Sequence, residues 1–202
     1  MAAWIVWVSF LTVVVRREVD GDAEAVRQVH LAAFGDHGGV VDDLVDELRS
    51  ILSPSRGAAL VAEEEDEIVG QVMFTASLLD SDRRLVEVQV LSPLGVRSDR
   101  QGRGIGQSLV GAGLQMMVDQ SVPVVFLEGD PAYYSRFGFR PGGQQGFRKP
   151  ALRIPDAAFQ ALRLPAHEGW MTGTLVYSEI FWRLDCVGLR DEEARLGHLP
   201  PN

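Results

Sequence analysis

Cysteine is nearly absent. Cys186 stands alone in a chain of 202 residues, which excludes an internal disulfide framework and points to a reducing, cytoplasmic compartment. An excess of positive charge is missing too. Nineteen Lys and Arg against 28 Asp and Glu give a net charge of −9, a poor basis for gripping nucleic-acid phosphates. The four histidines, His30, His37, His167 and His198, show no metal-ligand spacing with each other or with Cys186, so no metal site is expected. The apolar stretch from Met1 to Val15, with Trp4 and Trp7, is too short to span a bilayer. It also lacks a basic leading region and a small-residue cleavage site, so neither a membrane anchor across the bilayer nor a signal peptide is expected. Residues 1–11 are read as an extension of uncertain role: a continuation of the first strand, a start-site artefact, or an interfacial anchor. No repeat and no linker divides the chain. One domain is expected over 12–181, followed by a tail at 182–202.

Hydropathy patterning gives an α/β chain. A β-branched segment from Thr12 to Val19 reads as a strand, and Asp20-Gly21-Asp22 as a turn with a helix N-cap. Val26, Val29 and Ala33 share a face of a first helix. Val41, Leu44, Val45 and Leu48 share a face of a second. Ala58–Ala62 and Ile68–Ser77 form a hairpin with the acidic run Glu63 to Glu67 as its solvated tip. In Leu85–Val96, Val86, Val88 and Val90 alternate with Glu87 and Gln89, the period of a strand. Ser92-Pro93 interrupts it, and because proline cannot donate to a ladder, a bulge or splay is expected there. A helix follows from Gly104 to Gln120, with Ile105, Leu109, Ala112 and Met116 as its buried stripe. Val122–Leu127 reads as a buried strand. A short helix carries Tyr133 and Tyr134 to Gly138, and Phe139 begins a strand. Residues 141–169 show no clear element, and Met171–Phe181 reads as the last strand.

The densest chemical signal is Gln101-Gly102-Arg103-Gly104-Ile105-Gly106. Alternate glycines let the backbone turn tightly and approach a ligand. The first amides of the following helix have no internal acceptor, and with the positive helix end they suit a diphosphate. The dinucleotide, Walker and hydrolase-elbow patterns all fail on their required positions. A tight strand-to-helix turn without a ligand remains the plain alternative.

The pattern Gln101-x-x-Gly104-x-Gly106 resembles the signature of the GNAT family of N-acetyltransferases. Pro93-Leu94-Gly95-Val96 upstream and Tyr134-x-x-x-Gly138-Phe139 downstream resemble it as well. The last third is similar only loosely to a bacterial subgroup of predicted acetyltransferases. The resemblance implies a mixed, mostly antiparallel sheet flanked by helices, with a splay between two central strands. It implies acetyl-CoA as co-substrate and no metal. The pantetheine arm would pair with Leu94, Gly95 and Val96. The pyrophosphate would sit on Gln101, Gly102, Arg103, Gly104, Ile105 and Gly106, with Ser108 and Tyr133 nearby. An amine attacking a thioester must be neutral, the oxyanion needs donors, and the departing thiolate needs a proton. Tyr134 matches the family's general acid, its alternative being an aromatic packing residue. Glu87, which could act through a water, and Glu128 are candidate bases; the alternative for each is an ordinary solvated strand carboxylate. Asp36 and His37, between the first two helices, would line the acceptor side, or simply cap the loop. Cys186 lies beyond the matched motifs, so direct transfer to a small amine or peptide amino group is expected rather than an acyl-cysteine. The competing readings are a non-catalytic acyl-CoA-binding module and transfer of a longer acyl chain. Dimerisation through the carboxy-terminal strand is left open.

Overall fold

The computed structural model describes residues 13–53, 55–188 and 190. The extension at 1–11, Thr12 and most of the tail therefore lie outside the described residues. The first pairings follow chain order, each antiparallel: Val14–Arg17 (β1), Gly57–Glu64 (β2), Glu67–Asp80 (β3) and Leu85–Val96 (β4). Glu65 and Asp66 turn the β2–β3 hairpin at φ 52° and 64°, a pair of left-handed residues matched to the twist of the strands. Val124–Glu128 (β5) then joins β4 in parallel, and Phe159–Arg163 (β8) lies antiparallel to β5, with Arg140–Pro141 (β6) outside it. Gly173–Val176 (β9) takes the edge of β3 at Leu78–Asp80, just past the start of β2, and Phe147–Arg148 (β7) pairs with it in parallel.

Helices cover both faces. Ala23–Phe34 (α1) and Gly38–Ile51 (α2) lie on one, where Val26, Leu44, Val45 and Leu48 pack with Val88, Val90 and Phe126. Ile105–Asp119 (α3) lies on the other, against Phe74, Leu91, Val125 and Leu127. Its buried line runs through Ile105, Leu109, Val110, Gly113 and Met117, while Ala112 and Met116 are half-buried at its margin. At Gly113 a Cβ would overlap the Phe74 ring. Gly113→Ala is thus expected to destabilise the fold by about 1–3 kcal/mol, measured as a lower denaturation midpoint. A rise, as alanine gives at an open helix site, would refute the close approach.

Several sequence expectations need correction. The Asp22 carboxylate does not cap α1; it accepts hydrogen bonds from Arg16 (2.7 and 2.9 Å) and from the Val19 N–H (2.9 Å), because an arginine fork is the stronger donor. Glu64, placed in the solvated tip, is buried. Residues 141–169 contain β7 and all of β8. The expected strand Met171–Phe181 is β9 followed by a helix, Glu179–Arg183 (α5). Tyr177-Ser178 breaks the alternation, and α5 turns Ile180 and Phe181 into the core that α2 covers.

Candidate functional site

β4 and β5 are in register only at Gln89–Val125 and Val90–Phe126. Beyond that, β4 stays with β3 and β5 stays with β8, so a gap opens between adjacent strands. The cause lies at Ser92-Pro93. Val72 pairs with Leu94 and Phe74 with Leu91, so two β4 residues stand against the single Met73. The extra residue bends β4 away, as a bulge does.

Parity then decides which peptide groups face the gap. The Arg97 N–H donates to the Val69 carbonyl (2.9 Å). Antiparallel partners alternate between bonded and non-bonded pairs, so Gly95 exchanges its hydrogen bonds with Gln71. The peptide groups of Leu94 and Val96 therefore point into the gap. The Val96 carbonyl accepts from Gln101 Nε2 (3.0 Å), which ties the turn to the strand. Gly95 itself is pinned from the α1 side: a Cβ there would lie 2.9 Å from His30 Nδ1. His30 is fully buried and donor-acceptor paired with Gln71 at 3.0 Å. Burial lowers its pKa to about 4, so it is neutral at pH 7.

The turn is solvent-facing from Gln101 to Gly104. Gly102 and Gly104 adopt φ 75° and 84°, values that a side chain resists. The first bond of α3 is Ser108 N–H to Gly104 O (3.0 Å), so the amides of Ile105, Gly106 and Gln107 precede the ladder and remain available. A cavity of about 370 Å³ sits on them, lined on one wall by Leu94, Val96 and Arg100 and on the other by Tyr133 and Arg136. Gly106 leaves room for the Tyr133 hydroxyl: a Cβ would lie 2.5 Å from Tyr133 Oη, and the phenol would have to move. Ser108 does not line the cavity, since its hydroxyl donates back to Gly104 O (3.3 Å).

The arginines of the turn are not free charges. Glu64 lies between them, its Oε2 2.9 Å from Arg100 Nε and 3.8 Å from Arg103 Nη1. The Arg100 contact is an ion pair out of line for a hydrogen bond. Arg136 lies across the Tyr133 ring (4.8 Å) and donates from Nε to the Tyr133 carbonyl (2.8 Å). Glu64, Gln107 and Arg136 carried no signal as site residues in the sequence, because each becomes relevant only through the fold.

Tyr133 and Tyr134 lie in Pro131–Tyr134 (α4), capped by Asp130, whose carboxylate accepts from the Ala132 N–H (2.9 Å). The Tyr134 ring packs edge-on against Tyr133 and Phe139 and touches Gly129, where a Cβ would lie 2.5 Å from its Cε2. Burial raises its pKa above the ordinary phenol value, which keeps it protonated. Its hydroxyl makes no hydrogen bond among the described residues, so its proton is available. Glu128, the last residue of β5, faces the opposite side of the sheet from Leu127 and is half-buried. Burial raises its carboxyl pKa, against the lowering effect of hydrogen bonds from Tyr177 Oη (2.8 Å) and the Gly188 N–H (3.0 Å) and of nearby Arg153.

Two further groups lie elsewhere. Glu87 is exposed and ion-paired with Arg56 (3.2 Å), and it precedes the β4–β5 pairing while the gap follows it. The structure does not bring it to the cavity. Asp36 and His37 are exposed in a 3-10 turn between α1 and α2. Phe34, two residues before Asp36, packs against Gly95, so this turn stands at the α1 side of the gap. Among the described residues no cluster of His, Cys, Asp or Glu could hold a metal, and no helix is long and apolar enough to cross a membrane.

Comparison with known proteins gives a consistent picture. A family model described as an acetyltransferase (GNAT) domain matches residues 14–142. The uncharacterized N-acetyltransferase YjhQ of Escherichia coli is 32% identical over 75% of this chain and 84% of its own length. The crystal structure of the GNAT family N-acetyltransferase YhbS from E. coli, in complex with CoA, superposes with a TM-score of 0.75 at 29% identity, covering 86% of this chain and 93% of that one. A GNAT family acetyltransferase from Brucella melitensis, in complex with acetyl-CoA, gives a TM-score of 0.67 at 29% identity, over 84% of this chain and 98% of that one.

Proposed function

The chain belongs to the GNAT acetyltransferase family, and on that premise we propose that it transfers the acetyl group of acetyl-CoA to a primary amine by direct attack in a ternary complex. One observation carries this reading. A gap between β4 and β5 turns the Leu94 and Val96 peptide groups inward and ends on the uncapped amides of α3. A thioester arm with amide groups can pair along the strand, while its diphosphate takes the helix start.

The chain's own groups divide the work. Amides from Gln101 to Gln107 hold the diphosphate, with Arg100 and Arg136 on either wall. The Leu94 N–H, aimed into the gap, stabilises the carbonyl oxygen as charge develops on it. The amine nitrogen bonds to the carbonyl carbon and gives up a proton toward Glu128; the carbon–sulfur bond breaks, and the sulfur takes the Tyr134 proton. Neither side chain lines the cavity itself; Glu128 ends β5 beyond its pairing with β4, and Tyr134 packs against Tyr133, which does line it. Burial raises the carboxyl pKa of Glu128, which strengthens it as a proton acceptor, and keeps the phenol of Tyr134 in its acid form. Cys186 takes no covalent part. Its thiol donates to the Leu184 carbonyl (3.4 Å), and burial with the neighbouring Asp185 and Glu128 pushes its pKa up, the reverse of an activated nucleophile.

The test is release of coenzyme A thiol when acetyl-CoA is mixed with the protein and a panel of amines, amino acids and peptides. Turnover with at least one amine is expected. Tight acetyl-CoA binding without release across the panel would instead make the chain a binding module.

A further inference from the structure

The family match ends at residue 142, yet the groups that hold Glu128 all come later in the chain. Tyr177, just after β9, donates to Oε1 at 2.8 Å. The Gly188 N–H, after α5, donates to Oε2 at 3.0 Å. That second donor is itself fixed. Arg153 Nε donates to the Val187 carbonyl at 2.5 Å, and its side chain packs on Gly188, which turns at φ 61°. Val187 is fully buried and Tyr177 nearly so. Both oxygens of one half-buried carboxylate are thus gripped, from positions 49 and 60 residues away in sequence.

Resting on the acetyl-transfer reading above, we infer that the carboxy-terminal third forms part of the active site, with Tyr177 as a positioning residue that orients Glu128 and keeps it ionised. A phenol and an amide that donate to a carboxylate favour its charged form. They also leave each oxygen a second lone pair for a water or an amine. Among the described residues, the charged and titratable groups around it are few. Arg153 approaches from the segment before β8, Tyr177 from the end of β9, and Cys186 and Asp185 from the turn after α5. Asp185 is paired with Arg190 (2.6 Å) and stands 3.9 Å from Arg153. Gly129, the next residue, packs on the Tyr134 ring. The same grip therefore fixes the spacing between the proton acceptor and the proton donor.

The test is the protonation of Glu128 in the full chain, read by NMR titration of protein labelled with carbon-13 at the glutamate carboxyl, its signal assigned by loss in Glu128→Gln. In Tyr177→Phe the titration midpoint should rise by roughly 1 pH unit, the effect of deleting one hydrogen bond to a charged group. Arg153→Met, which frees Val187 and removes a nearby cation, should shift it the same way. The pH dependence of kcat/KM, corrected for ionisation of the amine, should follow: about tenfold lower on the acid limb in Tyr177→Phe, with the dissociation constant of acetyl-CoA unchanged. An unmoved midpoint in Tyr177→Phe overturns the inference. A moved midpoint combined with full activity in Glu128→Gln overturns the role of Glu128 instead, so the two failures are told apart.

Discussion

Gly104→Glu is expected to lower affinity for acetyl-CoA by at least about 100-fold while the protein still folds. The change acts at two levels. Gly104 stands at φ 84°, where a residue with a Cβ costs roughly 1–2 kcal/mol. Nothing lies within 4 Å of the position such a Cβ would take, so the fold has room for it. The new carboxylate would then stand beside the amides of Ile105 and Gly106, where the diphosphate belongs. Two unit charges about 4 Å apart near a protein surface repel by about 4 kcal/mol, roughly a thousandfold in a dissociation constant. Gly104→Ala separates the contributions, since it keeps the backbone cost and omits the charge. Its affinity should fall far less. Titration calorimetry with coenzyme A, at matched ionic strength, gives both numbers. If the glutamate variant binds as tightly as the alanine variant, the diphosphate does not sit on this helix start.

That part of the site was readable in the sequence because its determinants are local. Glycines at alternate positions, an arginine-bearing turn and a following apolar stripe lie in one continuous stretch from Arg100 to Met116, and Pro93 announced the bend in β4 by its missing donor. The short-range chemistry sufficed for the strand, the turn and the helix start. It failed where partners are distant. Glu64 reads as one more acidic residue of a solvated tip until the β2–β3 hairpin carries it against Arg100 and Arg103. The carboxy-terminal third was opaque for a related reason. β6 and β7 have two residues each, too few for any period to register, and β8 has five. Their identity as strands comes from their neighbours, β5 for β8, β8 for β6 and β9 for β7, not from their own pattern. Tyr177 lay inside an expected strand, with nothing nearby to say that its hydroxyl would reach Glu128. Two candidate bases of similar sequence context, Glu87 and Glu128, are told apart by the fold: the strands separate beyond Phe126, on the side of Glu128, and Glu87 is exposed and paired with Arg56.

Glu128→Gln should therefore lower kcat by roughly 100- to 1,000-fold, within the usual range for loss of a general base, with little change in acetyl-CoA affinity. Glutamine keeps the volume and one acceptor oxygen for Tyr177, but its amide cannot accept a proton. It also turns an N–H toward the Gly188 N–H, so the melting temperature must be recorded beside the rate. The pH profile separates a chemical loss from a structural one. Burial raises the Glu128 pKa above the ordinary carboxyl value, so the carboxylate of the wild-type enzyme loses its charge as pH falls through that raised value. After correction for the amine, log kcat/KM should have an acid limb of unit slope that disappears in Glu128→Gln, because no group is left to titrate. The phenol of Tyr134, its pKa also raised, loses its proton only well into the alkaline range, so the plateau between the two limbs should be broad. A variant that keeps the acid limb and loses less than about threefold in kcat would show that the amine deprotonates elsewhere, and Glu128 would then serve only to anchor the segment from Cys186 to Gly188.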